Sequence, residues 1–250
     1  MNVGEAMPQY GAQHIVSLVV IALAAILVVW LARIARDENR VDRALRTAGW
    51  ALLIVSALWS VYWLLPVHFD IAQSLPLHFS DAMRYLAAIA LITRSGWSIA
   101  VLYFWGLTLN LQSIITPDLN YLQMPLLEFV MYWLLHGTVL VVPILLAWGL
   151  RTTPTWRGYG LGFAATAAWA GAAFLINAAI GTNYAYMNGP PAGTSILDLL
   201  GPWPIYIAWE AVLVAGVWAL ITWPWQGRRR RDRSYPVGRG RFVRRIPFAA

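Results

Sequence analysis

Long apolar runs separated by short polar breaks fill almost the whole chain. A helix needs about 20 apolar residues to cross a bilayer. Seven runs approach that length, over 14–34, 48–65, 77–92, 97–115, 125–150, 159–180 and 204–223. The pattern predicts an all-α polytopic membrane protein, a bundle of seven transmembrane helices. Trp50, Trp63, Trp97, Trp148, Trp203 and Trp223 fall near the predicted span ends, where an interfacial aromatic belt belongs. The sixth run carries Gly158, Gly162, Ala164, Ala168 and Gly171, small residues that permit close helix approach. They read as internal packing rather than a dimer seam.

Composition agrees with this picture. Of 250 residues, 60% are hydrophobic and 12% charged, against about a quarter charged in a soluble domain. With no Cys there is no disulfide, thiolate metal site or thiol nucleophile. The net charge is +7, and every basic residue is Arg. Arg36, Arg40, Arg43 and Arg46 follow the first run, Arg94 the third, Arg151 and Arg157 the fifth. Nine more lie after the seventh. The intervening loops carry none, so the positive-inside rule predicts an outside N-terminus and a cytoplasmic C-terminus.

Residues 1–225 therefore read as one transmembrane domain. Residues 226–250 read as an Arg-rich cytoplasmic tail, disordered and held to anionic lipid headgroups, with no nucleic acid expected. Met1 to Gln13 has no basic segment of the kind that opens a signal peptide. The all-Arg, Ala-rich composition points to a high-GC bacterial source and to its cytoplasmic membrane.

Six titratable residues interrupt the apolar runs: His78, Asp81, Arg84, Glu128, His136 and Glu210. A charge at membrane depth costs about 3 kcal/mol on insertion scales, so such groups pair, line cavities or do chemistry. If the third helix starts at Pro76, which suits a first turn, then His78, Asp81 and Arg84 share one side within pairing distance. An alternative start lies near Ser80 or Asp81, one of them being the N-cap. Two readings fit. Asp81 and Arg84 form a buried ion pair, or Ser80 is a nucleophile with His78 or His136 as base and Asp81 as its orienter.

His136 falls about 16 Å into the fifth span. A direct dyad with Ser80 therefore requires a re-entrant third segment. Asn110, Gln112, Thr116 and Asp118 make the end of the fourth span polar, and Asn177, Asn183 and Tyr184 do so for the sixth. Arg84, Asn110, Gln112, Asp118, Asn183 and Tyr184 are thus candidate substrate-binding residues in an outward-opening cavity. That cavity would be built from the starts of spans three, five and seven and the ends of four and six. Glu128, Glu210, His14 and His68 read as interfacial. No HExxH spacing, P-loop or dinucleotide fingerprint occurs, so no metal and no cofactor are expected.

Four motifs carry a resemblance. LPLHFSD (75–81), YFWGLTLNLQSIITPDL (103–119), WLLHGT (133–138) and GTNYAYM with LDLLGPWPIY (181–206) resemble the YwaF-like family of bacterial integral membrane proteins. That family is related to a eukaryotic transmembrane acyltransferase of ether phospholipids. The resemblance implies acyl transfer by a Cys and a His, the Cys position falling at Ser80 and the His at His136. This chain departs from the pattern at the nucleophile, and a hydroxyl needs stronger base activation than a thiol. The expected function is lipid or acyl handling at the outer leaflet, an acyltransferase reading with membrane lipids as partners. The alternative is a non-enzymatic protein of membrane binding, transport or envelope assembly.

Overall fold

The computed structural model describes residues 1–190 and 196–233. Among these residues the chain is all-helical. The helices are α1 (Ala12–Ile34), α2 (Glu38–Leu64), α3 (Phe79–Thr93), α4 (Gly96–Ile115), α5 (Pro125–Gly149), α6 (Trp156–Ile180) and α7 (Ile205–Arg233). Six are long and apolar enough to cross a membrane; α3, with 15 residues, is not.

Local chemistry sets the ends. Asp37 accepts from the Asn39 and Arg40 N–H groups and starts α2 ten residues before the predicted apolar run. Arg40, Arg43 and Arg46 therefore lie on a helix and not in a loop. Pro125 occupies the first turn of α5, where its missing N–H is not needed. Thr155 Oγ1 accepts from Gly158 N at 2.9 Å to cap α6, and Gly181 closes that helix at φ 72°, a left-handed position natural to glycine. At its other end α7 continues to Arg233, past the expected tail boundary at 226. The remaining tail residues, 234–250, lie outside the described residues.

The third helix starts later than Pro76 predicts. His78 is extended and precedes the first turn, and Asp81 Oδ2 accepts its backbone N–H at 3.1 Å. Trp169 Nε1 donates to the Leu77 carbonyl at 3.0 Å, holding that carbonyl off the helix axis. These two contacts replace a turn that Pro76 would have begun.

α3 is the hub, packed on α2, α4 and α5, while α1 packs on α5, α6 on α4, and α7 on α6. Its Met83, Ala87, Ala88, Ala90 and Leu91 are buried, as are Ile99 to Trp105 of α4. The outer helices instead show apolar side chains such as Val16, Leu23, Leu58, Leu175 and Leu220, as lipid-facing helices do. Glycines bring the helices together. A Cβ on Gly49 would meet Ile92 Cγ1 at 2.7 Å across the α2–α3 seam. Gly158 and Gly162 face Ala100, Trp218 and Phe104, whereas Gly171 faces open space. Of the glycines in this helix, Gly158 and Gly162 serve packing inside the chain, and Gly160 and Gly171 do not.

Candidate functional site

A cavity of about 1300 Å³ occupies the end of the bundle where the N-terminal segment and residues 65–78, 116–124, 181–190 and 196–204 gather. The beginnings of α3, α5 and α7, the later turns of α4 and the middle of α6, at Phe163 to Ala170, line it; the end of the sixth span, expected there, does not. Its deeper wall is apolar, with Leu135, Val139, Phe163, Ala167 and Val214. Its mouth is polar, with His78, Gln112, Asp118, Asn183 and Tyr186. Such a mixture suits an amphiphile whose polar end stays at the loops.

His136 is placed by α4. Its Nδ1 lies 2.8 Å from Asn110 Oδ1, and Asn110 Nδ2 donates to the His136 carbonyl at 2.9 Å. Two features bring these helices close. A π turn over Trp105–Leu109 precedes Asn110, and one extra residue rotates the following face by about 100°. Gly106 then sits against α5, where a Cβ would lie 2.6 Å from the Val139 carbonyl oxygen. Pro143, four residues on, supplies no N–H to that carbonyl. Tyr132 lies one turn before His136, its ring tilted by 40° against the imidazole with centroids 4.3 Å apart, and donates to Ser113 O at 2.6 Å.

At the start of α3, His78 Nδ1 accepts from Ala185 N at 3.3 Å. Asp81 Oδ1 pairs with Arg84 Nη1 at 2.8 Å, both side chains being largely buried. Arg84 Nη2 donates to Ser60 Oγ at 2.7 Å, and Ser60 in turn meets Tyr85 OH at 2.7 Å. The pair is thus tied to α2. Asp81 serves Arg84 and the His78 main chain, and among the described residues no hydrogen bond joins its carboxylate to either imidazole, as an orienter would need. The group that holds His136 is Asn110.

Ser80, His78, Asp81, Arg84, His136, Gln112, Asp118 and Asn183 all line the cavity. Among the described residues no hydrogen bond joins Ser80 to either histidine. Asn110 and Tyr184, expected among the lining residues, are fully buried and do not line the cavity. The Tyr184 hydroxyl donates to Ile71 O at 2.6 Å and accepts from Leu75 N at 3.0 Å, fastening the loop before α3. Asn183 lines the mouth while its Nδ2 donates to Gly189 O at 2.8 Å.

Two residues read as interfacial are internal. Glu128, 3% exposed, accepts the N–H groups of Leu122, Gln123 and Met124 at 2.8, 2.9 and 3.1 Å. His14, fully buried, bridges Tyr10 N and Ile114 O, each at 2.9 Å. Glu210 does line the cavity, from α7.

Tyr186 was not legible as a site residue. It donates to Asp118 Oδ2 at 3.1 Å. Burial first, and then the Asp118 carboxylate, push its phenol above the ordinary value, so it remains a donor. Its carbonyl accepts from Tyr206 OH. The cue available in sequence was the aromatic pair Tyr184 and Tyr186 in a loop rich in turn residues.

A family model, that of the TMEM164 family, matches residues 9–222. The chain belongs to the TMEM164 family. It is a multi-pass membrane protein, as its six apolar helices independently require. No curated protein and no solved structure matches it. The matched region contains the whole cavity except for Ala6 and Met7.

Proposed function

We propose that the chain binds acylated lipids in this cavity and transfers their acyl groups, with Ser80 as nucleophile and His136 as general base. The observation that carries the reading is that Ser80 and His136 open onto one cavity, polar at the mouth and apolar below. The resemblance to YwaF-like bacterial proteins supports it, since it places the acyl-carrying residue at Ser80. Ser80 Oγ attacks the ester carbonyl carbon while its proton passes to His136 Nε2. The tetrahedral intermediate collapses, the C–O bond to the glycerol oxygen breaks, and His136 returns the proton to that leaving oxygen. An acceptor lipid hydroxyl, deprotonated by His136, then attacks the acyl-serine ester and frees Ser80 as its hydroxyl.

In this reading α3 is a seventh, recessed membrane segment, and its late start brings Ser80 toward the depth of His136. The arginine distribution supports an outside N-terminus, a cytoplasmic C-terminus and lipid entry from the outer leaflet of a bacterial cytoplasmic membrane. The domain is residues 1–225, with the Arg-rich remainder on anionic headgroups. Gln112, Asp118 and Asn183 meet the polar end of the lipid, and Arg84 supports that wall from its ion pair. A second reading, non-enzymatic lipid binding, draws on the absence of a hydrogen bond between Ser80 and either histidine.

The test uses the full chain in nanodiscs with an isotope-labelled diacyl phospholipid and a lysophospholipid acceptor. Label is expected to move to the acceptor, and to fall to background in Ser80→Ala and in His136→Ala. Transfer that survives Ser80→Ala removes the nucleophile assignment. Lipid retained by the wild type without transfer selects the binding reading.

A further inference from the structure

We infer that Asn110 is a positioning residue that locks His136 in its Nδ1–H tautomer and leaves Nε2 as a lone-pair acceptor at the cavity. The use of that lone pair as a base rests on the acyl-transfer reading; the tautomer does not. The reasoning follows from which atoms can donate. A main-chain carbonyl only accepts, so the Asn110 atom facing His136 O must be the amide nitrogen. That fixes the orientation of the amide and turns Oδ1 toward His136 Nδ1, 2.8 Å away. An amide oxygen also only accepts. Nδ1 must therefore carry the hydrogen, and in the neutral ring Nε2 carries none.

Burial makes this assignment firm. Asn110 is 0% exposed, so no solvent competes for either end of its amide. His136 lines the cavity although its Nδ1 points to a residue that does not. Nε2 has no hydrogen-bond partner among the described residues and is not among the sealed, partnerless buried atoms. It is open to whatever fills the cavity.

His78 shows the opposite arrangement. A main-chain N–H only donates, so the contact from Ala185 N at 3.3 Å makes His78 Nδ1 the acceptor. Its neutral ring holds the hydrogen on Nε2. One cavity thus carries an imidazole acceptor from α5 and an imidazole donor from the start of α3. In the acyl-transfer reading the first takes the Ser80 proton, and the second offers a hydrogen bond to an oxygen of the lipid.

The chain has only four histidines, His14, His68, His78 and His136, which makes the tautomers measurable. The full chain, labelled with ¹⁵N and ¹³C at histidine and held in nanodiscs at mildly alkaline pH, is examined by solid-state NMR. His136→Gln and His78→Gln assign the signals by subtraction. The expected spectrum shows a protonated Nδ1 and a bare Nε2 for His136, and the reverse for His78. A protonated Nε2 on His136, or equal populations of its two tautomers, overturns the inference. In Asn110→Leu the His136 preference should be lost, and an unchanged preference overturns the role of Asn110. Asn110→Asp guards against a folding defect, since it keeps an acceptor opposite Nδ1 and gives up only the donor to His136 O. It should retain Nδ1–H, and a switch to Nε2–H there also overturns the inference. Correct tautomers in a protein that transfers no acyl group would sink the acyl-transfer reading alone.

Discussion

The α-carbon of Gly106 faces the main-chain carbonyl of Val139 so closely that a β-carbon would stand 2.6 Å from its oxygen. This contact exists because Pro143 leaves that carbonyl without its helical N–H partner. One helical turn along, the same seam lets Asn110 reach both the ring and the main chain of His136. A glycine, a proline and an asparagine on two helices together position one imidazole.

Gly106→Ala should therefore separate α4 from α5. The new methyl meets backbone and the Pro143 ring at 2.9 Å, neither of which moves aside easily. Overpacking of this kind costs about 1–3 kcal/mol. Thermal unfolding in detergent should show a lower midpoint, and the His136 signals should shift. Gly160→Ala is the control, because a Cβ there meets nothing within 4 Å. An unchanged midpoint for Gly106→Ala would mean the seam is looser than described.

The Asp81–Arg84 pair predicts a pattern across three variants. Removing one partner of a buried pair strands the other charge, at a cost of about 3–5 kcal/mol. Arg84→Met and Asp81→Asn should each lower the unfolding midpoint sharply. Their double variant should recover much of the loss, because no charge is then left alone. Equal losses in all three would show that Arg84 contributes through packing and its bond to Ser60 instead of through the pair.

Much of this architecture is legible in the sequence, because apolar length alone reports a crossing helix. Six helices lie where the apolar runs place them. The spacing of Asp81 and Arg84 also anticipated their pairing, since residues three apart on a helix are neighbours. The partner of His136 was not legible. Asn110 lies 26 residues away, and helix periodicity does not say which helices touch or where a π turn rotates a face. Glu128 was misread for a similar reason. Its position near a helix start suggested an interface, but the loop of Leu122 to Met124 folds back over it. The start of α3 was displaced by the Trp169 indole, a contact over 92 residues.

Glu128 should matter to stability more than a solvent-facing acid would. Its carboxylate satisfies three main-chain N–H groups ahead of α5. Glu128→Ala strands them, at about 1–3 kcal/mol. Glu128→Gln keeps amide-oxygen acceptance but brings a donor toward N–H groups that need none, so an intermediate midpoint is expected. Limited proteolysis should cut within 116–124 sooner in the Ala variant. A protease pattern identical to wild type would remove the carboxylate from its role in holding this loop.

Ser80→Cys offers the sharpest test at the site, because the chain has no cysteine of its own. The variant places a single thiol at the cavity wall that Ser80 lines. A water-soluble maleimide should modify it, and a lipid filling the cavity should protect it. A thiol needs less base activation than a hydroxyl. If Ser80 is the nucleophile, acyl transfer should quicken by about tenfold, roughly 1.4 kcal/mol off the barrier, and depend less on His136. Adding His136→Ala to Ser80→Cys should then leave measurable transfer where His136→Ala alone leaves none. A thiol that labels readily while transfer disappears would place Ser80 on the wall of a binding cavity and take it out of the chemistry.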